Sequence, residues 1–235
     1  MYCPSYKRAK TAISHKLFNP EKFVYVVREE EEKEYRKLGA NLKLIPSGTV
    51  KDIATTRNYI LDTRTTDQLV MVDDDLKSII RTYNGKQTDM NQEQIDHMIL
   101  NGFQMAEDCG SPIWGMNVQF DPRFYRIVCP FTFGLIILGP FIAIRDFSLR
   151  YDETLPLKED YDFFLQHIQK SRRVLRFNMF SYMCDHQKLA GGCQEYRTSE
   201  AEKEQFRLLK EKWGEVVYNN HFAKESINPI IKTGL

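Results

Sequence analysis

The sequence predicts an α/β fold in which a mixed, mostly parallel sheet is flanked by helices. In the first 75 residues, short apolar runs alternate with longer charged or amphipathic segments. This alternation is typical of parallel strands joined by helices that cover both faces of a sheet. The predicted strands are residues 1–3, 23–27, 42–45 and 69–72, and the predicted helices are residues 9–17, 29–38 and 53–61.

The remainder of the chain contains the same kinds of element in a less regular order. Periodic apolar residues predict three further helices, and runs rich in β-branched and aromatic residues predict strands. These helices are residues 91–104, 161–171 and 199–218, and the strands are residues 111–120, two segments within 125–144, and residues 173–182. Gly191-Gly192 predicts a mobile loop over residues 188–197. We expect a single domain over residues 1–235, since no tract resembles a linker.

The composition limits the classes of function. The formal net charge is +1, so the chain has no overall electrostatic field that would attract nucleic acid, and any DNA-binding surface must be local. Five cysteines at irregular spacing, with no CxxC pair, argue against a zinc ribbon or a disulfide framework. Because no signal peptide is recognisable at the N-terminus, we expect a cytoplasmic protein, in the host cytoplasm if it is encoded by a phage.

One segment has nearly the length of a membrane-spanning helix. Residues 127–144 carry no charged side chain. Four helix-breaking residues interrupt the segment, namely Pro130, Gly134, Gly139 and Pro140. We therefore predict two buried strands with a turn at Gly139-Pro140, and we expect no membrane association. A spanning helix is the less favoured alternative.

The most informative motif is the acidic triplet of Asp73, Asp74 and Asp75. It follows directly on the apolar run of residues 69–72, which predicts a buried strand that ends at a surface. Alternation along an extended backbone would place Asp73 and Asp75 on one side and Asp74 on the other. Two carboxylates at a strand end suit Mg²⁺ or Mn²⁺. The alternative is an acidic turn that caps the next helix.

A polar and basic loop, Pro4-Ser5-Tyr6-Lys7-Arg8, follows the first predicted strand. In open α/β sheets, ligands bind at the carboxyl ends of the strands. This loop and the acidic triplet would therefore lie at the same edge of the sheet. The sequence thus predicts a site for a nucleotide phosphate and a divalent metal at that edge.

Several motifs in this order resemble those of the GT-A-fold glycosyltransferases, in particular the large inverting family 2. The motifs are Pro4 to Arg8, Thr56-Arg57-Asn58, Val70 to Asp75, Tyr151-Asp152-Glu153 and Glu159-Asp160 at a helix start. Residues 45–48 and 50–58 are also similar to the TET-associated glycosyltransferases, phage enzymes thought to glycosylate hydroxymethylated pyrimidines in DNA. The resemblance implies a GT-A (Rossmann-like) fold. Its halves would be residues 1–75 for the nucleotide-sugar and residues 76–198 for the acceptor and catalysis, followed by a C-terminal helix and tail over residues 199–235.

The resemblance also implies roles for individual residues. Asp75, with Asp73 and His186, would hold Mn²⁺ or Mg²⁺, and Asp160 would be the general base, with Glu159 beside it. The donor, expected to be a UDP-sugar, would be bound by Pro4, Ser5, Lys7, Arg8, Arg57, Asp73 and Asp74. For each cation, a plain surface charge is the alternative, and for Glu159 and Asp160 the alternative is favourable charge at a helix N-terminus.

The acceptor side gives weaker signals. Trp114 could stack on a flipped base or a sugar ring, although most aromatic residues belong to the core. Lys170 and Arg173 could contact DNA phosphates, although a solvated helix end explains them equally well. Three other functions remain open. They are a family-2-like enzyme acting on a saccharide, lipid or protein, a nucleotidyltransferase, and a non-catalytic module that binds sugar nucleotides. The oligomeric state is not predicted.

Overall fold

The fold is organised around one large mixed sheet. The structure, a computed structural model, describes residues 1–184, 190–219 and 228–234. The strands are β1 (Tyr2–Pro4), β2 (Val24–Arg28), β3 (Asn41–Ile45), β4 (Leu69–Val72), β5 (Leu76–Tyr83), β6 (Lys86–Asp89), β7 (Ile113–Asn117), β8 (Phe131–Phe133), β9 (Phe141–Ile144), β10 (Leu175–Cys184), β11 (Val217–Tyr218) and β12 (Ile230–Ile231). The helices are α1 (Glu32–Arg36), α2 (Ile53–Asp62), α3 (Gln92–Asp108), α4 (Glu159–Ser171) and α5 (Ser199–Trp213).

The ten-stranded sheet has the order β3-β2-β1-β4-β9-β7-β10-β5-β6, and β8 pairs with the edge of β10. The first four strands in this order are parallel, and β9 joins β4 to β7 by antiparallel pairing on both sides. Consequently β4 and β7 run in the same direction and end at the same edge of the sheet. We call this edge, at the carboxyl ends of β1, β4 and β7, the rim.

Alternation along the strands produces two cores, one on each face of the sheet. In β4, Val70 and Val72 face a cluster that contains residues of α1 and α3, whereas Leu69 and Met71 face a cluster that contains residues of α2, α4 and α5. All four residues of β4 are buried. The predicted α/β architecture, with helices on both faces of a mixed sheet, is confirmed.

The prediction of a helix over residues 9–17 is wrong. Only Ser14–Lys16 form a short 3₁₀ turn. The backbone amides of Ile13 and Ser14 instead donate to the Asp74 carbonyl, and the Ser14 hydroxyl bonds the Asp73 carbonyl and the Leu76 amide. The segment is therefore tied to the acidic triplet by contacts over about sixty residues, which no local pattern encodes.

The structure also contains a hairpin that was not predicted and a helix that is shorter than predicted. The hairpin of β5 and β6 was not predicted, although Asn84 and Gly85, with φ of 48° and 71°, form the kind of two-residue turn that joins such strands. The helix expected over residues 199–218 ends at Trp213, because Gly214 adopts a φ of 64° and stops it. Residues 217–218 pair with β12 as a short strand instead.

The uncharged segment 127–144 contains β8 and β9, as the interrupted apolar pattern predicted. All residues of β9 are buried, whereas β8 is partly exposed. No helix in the described parts of the chain is both long enough and apolar enough to cross a bilayer.

Candidate active site

A cavity of about 390 Å³ opens at the rim. Its walls are formed by the loops after β1 and β4, the first turns of α2 and α4, the turn before β9, and residues 192–197. These pieces are distant in sequence and meet because the sheet brings its carboxyl ends together. This is the position where ligands bind in open α/β sheets.

Asp74 organises the first wall of the cavity. Its side chain is 3% exposed, accepts a short hydrogen bond from the Ser5 hydroxyl and pairs with Arg8, whose Nη1 lies 3.0 Å from Oδ1. Tyr35 also bonds the Ser5 hydroxyl and accepts a hydrogen bond from the Arg8 backbone amide. Asp74 thus fixes the loop after β1 against the end of β4, with Pro4 and Ser5 lining the cavity.

Asp75 has the features expected of a metal ligand. Its Oδ1 atom is buried and has no hydrogen-bond partner among the residues that the structure describes, and its Oδ2 lies 3.9 Å from Arg8 Nη1. Burial and, to a lesser extent, the neighbouring charges of Asp73 and Asp74 together raise the pKa of Asp75 to about 7. A divalent cation would compensate these costs, so the residues present fit such a group.

The three carboxylates all line the cavity, but they do not form a complete metal cage. In the described residues, no group of three His, Cys, Asp or Glu side chains is placed to hold an ion. His186, the predicted third ligand, lies outside the described residues. Since Mg²⁺ and Mn²⁺ in phosphate sites take much of their coordination from water and the ligand, two carboxylates are compatible with binding.

Arg57 joins Asp73 of the acidic triplet to Glu159 in the first turn of α4. Its Nη2 lies 3.2 Å from Asp73 Oδ1, and its Nη1 lies 3.2 Å from Glu159 Oε1. The guanidinium is buried and lies over the Tyr151 ring, 5.4 Å from its centroid. A Cβ atom on Gly139 would lie 2.3 Å from Arg57 Nη2, so the position of Arg57 requires glycine at 139.

The sequence around α2 explains why Arg57 points into the cavity. Asp52 caps the helix by accepting a hydrogen bond from the Thr55 amide, and the Thr55 hydroxyl accepts one from the Asp52 amide. One turn later, Asn58 bonds the amide and the carbonyl of Tyr151. Within the Thr56-Arg57-Asn58 motif, Asn58 therefore holds the Tyr151-Asp152-Glu153 segment. Arg57 holds the cavity carboxylates Asp73 and Glu159.

Glu159 and Asp160 begin α4 and line the cavity, as predicted. Asp160 Oδ2 accepts a hydrogen bond of 3.3 Å from the Gly139 amide, and its Oδ1 accepts one of 2.8 Å from the Tyr161 amide. Burial raises the pKa of Glu159 to about 8, and Arg57 opposes part of this rise. Asp160 is partly exposed to the cavity, whereas Glu159 is engaged with Arg57.

The structure places three predicted cations away from the cavity. Lys7 is exposed, pairs with Glu195 at 2.6 Å and is not among the residues that line the cavity. Lys170 pairs with Asp146 at the far end of α4, about 16 Å along the helix from Glu159. Arg173 donates to the Cys109 carbonyl. For Lys170 and Arg173 the simpler interpretation, a solvated helix end, fits the structure.

Trp114 is not an acceptor platform. It is fully buried in β7 and packs edge-on against Phe103 and Phe177. Its ring also fills the space above Gly102, where a Cβ would lie 2.4 Å from it. A side chain enclosed in this way cannot contact a ligand, so the prediction for Trp114 is wrong.

Some cavity residues were missed by sequence reasoning. Arg28 lies over the Tyr6 ring at 3.9 Å, and because it ends β2 at the rim, the strand-end rule could have identified it. Lys158 and Arg197 also line the cavity. No motif marks these two residues, since their placement depends on α5 and not on local sequence.

Comparison with known proteins identifies the family. Residues 1–192 match the family model described as TET-Associated Glycosyltransferase. The chain belongs to this family. The sequence matches no curated protein significantly.

Solved glycosyltransferases have the same fold as this member of the TET-associated family. One is S. aureus TarS residues 1–349 in complex with UDP-GlcNAc, with a TM-score of 0.54, 14% identity, and coverage of 89% of this chain and 65% of that one. Another is the mannosyltransferase PcManGT from Pyrobaculum calidifontis in complex with GDP-Man and Mn²⁺, with a TM-score of 0.58, 12% identity, and coverage of 89% and 63%.

A third structure is glucosyl-3-phosphoglycerate synthase from Mycobacterium tuberculosis in complex with Mn²⁺, UDP and phosphoglyceric acid. It has a TM-score of 0.56 and 11% identity, and the match covers 93% of this chain and 80% of that one. This chain therefore spans less than two thirds of the TarS fragment and of the mannosyltransferase. The predicted resemblance and the GT-A fold are confirmed, and the chain belongs to a family described as glycosyltransferases.

Proposed function

We propose that this glycosyltransferase moves a sugar from a UDP-sugar to the hydroxyl of a 5-hydroxymethylpyrimidine in DNA. The observation that carries the proposal is the convergence, in one cavity, of Asp73, Asp75, Arg57 and Asp160 in a chain of the TET-associated family. The cavity gathers residues from 1–75 and 76–198, in keeping with a donor half and an acceptor half.

The donor side of the proposal rests on the first wall of the cavity and on structural relatives. Relatives of the same fold bind UDP-GlcNAc, GDP-Man or UDP. In this chain, Pro4, Ser5 and Arg8 would lie against the nucleotide, with Arg28 and Tyr6 beside them. Asp74 supports this wall and does not contact the donor directly, because Ser5 and Arg8 occupy its carboxylate.

Asp75 and Asp73 would hold Mn²⁺ or Mg²⁺, as two relatives crystallised with Mn²⁺ suggest. When bound, the cation would supply Lewis-acid stabilisation of the departing diphosphate. Arg57 keeps Asp73 in place, and it also separates Asp73 from Glu159 by pairing with both. The buried Oδ1 of Asp75, which has no hydrogen-bond partner within residues 1–184, 190–219 and 228–234, is the feature that supports a cation here.

Asp160 is the proposed general base, in a single displacement that inverts the anomeric centre. The acceptor hydroxyl oxygen forms a bond to the anomeric carbon while Asp160 takes the hydroxyl proton. The bond from that carbon to the diphosphate oxygen breaks, and the nucleoside diphosphate leaves with the electron pair. The amides of Gly139 and Tyr161 orient the Asp160 carboxylate for this step.

A large acceptor would find a suitable surface along the rim. Residues 118–130 connect β7 to β8 and expose Phe120 (50%), Ile127 (48%) and Val128 (87%), with Arg123 nearby. One row of paired residues crosses the five strands from β4 to β8, and it consists of Met71, Ile142, Gly115, Arg176 and Thr132. Four strand spacings therefore separate β4 from β8, about 19 Å. Exposed apolar side chains beside arginine are typical of surfaces that contact the DNA grooves.

A family-2-like enzyme acting on a saccharide, lipid or protein is the second candidate, because the solved relatives include a synthase crystallised with phosphoglyceric acid. Mass spectrometry of oligonucleotides after incubation with UDP-sugars and Mn²⁺ separates the two. We expect a hexose or N-acetylhexosamine on oligonucleotides that contain 5-hydroxymethylcytosine or 5-hydroxymethyluracil. Oligonucleotides with 5-methylcytosine, which lack the hydroxyl, are the control. Donor turnover without any modified oligonucleotide would contradict the DNA acceptor.

A further inference from the structure

A buried carboxylate outside the family match links two cavity cations. Glu202 lies in the first turn of α5 and is 1% exposed. Its Oε2 accepts a short hydrogen bond from Lys158 Nζ, and its Oε1 lies 2.9 Å from Arg197 Nε. Lys158 and Arg197 both line the cavity, but Glu202 does not. The family match ends at residue 192, so it assigns no role to Arg197 or Glu202.

The two cations differ in their access to the cavity. The Lys158 side chain is 2% exposed, and its ammonium group forms an ion pair with Glu202. The Arg197 side chain is 25% exposed, and its Nε is the atom that lies 2.9 Å from Glu202 Oε1. The fork formed by the two terminal nitrogens of a guanidinium matches two oxygens of a phosphate. Two cations share one carboxylate here, so the group of Lys158, Arg197 and Glu202 carries a net positive charge.

Arg197 is held from both sides along the chain. The hydroxyl of Tyr196 accepts a hydrogen bond from the amide of Ile53, in the first turn of α2. Thr198 caps α5 by accepting a hydrogen bond from the Ala201 amide. These contacts fix residues 196–198 between two helix starts. A buried ion network of this kind is costly to assemble, which favours a role in placing Arg197 over a role in stability alone.

The neighbourhood indicates which ligand Arg197 would meet. Arg197 lines the same cavity as Asp73 and Asp75, the two carboxylates proposed to hold the cation. The diphosphate of a donor bound to that cation would lie in this cavity. Of the other arginines that line the cavity, Arg57 and Arg8 are paired with Asp73, Glu159 and Asp74. Arg28 lies over the Tyr6 ring and donates to the Lys51 carbonyl.

We propose that Arg197 binds the diphosphate of the donor and that Glu202, braced by Lys158, is the residue that positions it. The C-terminal segment would thus complete a phosphate site whose other parts belong to the family-matched region. This inference rests on the proposed function, because it takes the ligand to be a nucleoside diphosphate.

Isothermal titration of the full chain in Mn²⁺ tests the proposal with UDP and with uridine, which lacks phosphate. We expect Arg197→Gln to weaken UDP binding by about 10- to 100-fold, the value of one lost charge-assisted contact. Uridine binding should not change. Arg207→Gln is the matched control, since Arg207 is an exposed arginine of α5 that pairs with Glu204.

A double-mutant cycle separates positioning from a structural role. Glu202→Gln should also weaken UDP binding, but adding it to Arg197→Gln should cause little further loss, because Glu202 acts through Arg197. Independent, additive losses would contradict the positioning role. Thermal melts monitor folding, and the partly exposed Arg197 provides the decisive variant if Glu202→Gln does not fold.

The outcomes distinguish this inference from the function on which it rests. If the wild-type chain binds UDP and Arg197→Gln binds it equally well, the phosphate site is wrong and the proposed function stands. If the wild-type chain binds no nucleoside diphosphate, the donor proposal itself fails, and the role of Arg197 fails with it.

Discussion

Arg57 carries the central electrostatic contact of the cavity. It pairs with Asp73 on the side of the acidic triplet and with Glu159 on the side of the proposed base. Because all three groups are largely enclosed, removing the cation would leave carboxylates facing one another at low dielectric. A small displacement of Arg57 should therefore disturb both ends of the reaction.

Gly139→Ala tests the effect of displacing Arg57 without substituting a charged residue. The added Cβ would meet Arg57 Nη2 at 2.3 Å, so the guanidinium must move while the fold is retained. We expect about a 100-fold loss of transferase activity with a small change in melting temperature. Arg57→Gln should cause a loss at least as large, and the double variant should be no worse than Arg57→Gln. Full activity of Gly139→Ala would mean that the position of Arg57 is unimportant.

Asp160→Asn tests the proposed base. The variant keeps the size of the side chain and removes its capacity to take a proton, so donor binding should persist while transfer falls by about 10²- to 10⁴-fold. UDP titration and a transfer assay measure the two quantities separately. The control is Asp62→Asn. Asp62 is the last residue of α2 and pairs with Arg150. Undiminished transfer by Asp160→Asn would remove Asp160 from the mechanism.

At the scale of elements, α4 has two functions. Its first turn presents Glu159 and Asp160 to the cavity, and its inner face packs Phe163, Phe164 and His167 into the core. His167 is fully buried, and in the described part of the chain neither of its ring nitrogens has a hydrogen-bond partner. Burial lowers the pKa of His167 to about 4, and nearby Asp146 opposes that shift while Lys170 adds to it.

This shift predicts a pH dependence of stability. Above pH 6.5 the imidazole is neutral in both states. As pH falls from 6.5 towards 4, the unfolded chain binds a proton at His167 that the folded chain resists, so the contribution of His167 to the free energy of unfolding should drop by about 3 kcal/mol. His167→Leu should reduce this drop relative to wild type. Denaturant melts of both proteins at pH 7 and pH 4.5 measure it, and equal drops would contradict the assignment.

Elements with a strong local signal were predictable. The strand before the acidic triplet was predicted at residues 69–72, which are the bounds observed, and the helix predicted at 53–61 extends by one residue. The segment 9–17 was mispredicted because its amides bond the Asp74 carbonyl, a long-range contact. The hairpin at Asn84-Gly85 was missed although its turn residues were visible in the sequence.

At the scale of the whole molecule, the cavity is assembled from chain segments up to two hundred residues apart. Asp73, Asp75, Arg57 and Asp160 were identifiable because each lies in a short motif at the end of a strand or the start of a helix. Arg197 and Lys158 were not, since Glu202 joins them only in the folded chain. Trp114 was misassigned because burial across the sheet cannot be read from an aromatic residue alone.

The central claim is a metal-dependent donor site at the rim, and titration of UDP into the wild-type chain with Mn²⁺ and with EDTA tests it most directly. We expect UDP binding with Mn²⁺, little or none with EDTA, and loss of the Mn²⁺ effect in Asp75→Asn, because its orphaned carboxylate oxygen is the proposed ligand. UDP binding that is equal under both conditions, or an undiminished Mn²⁺ effect in Asp75→Asn, would contradict the account.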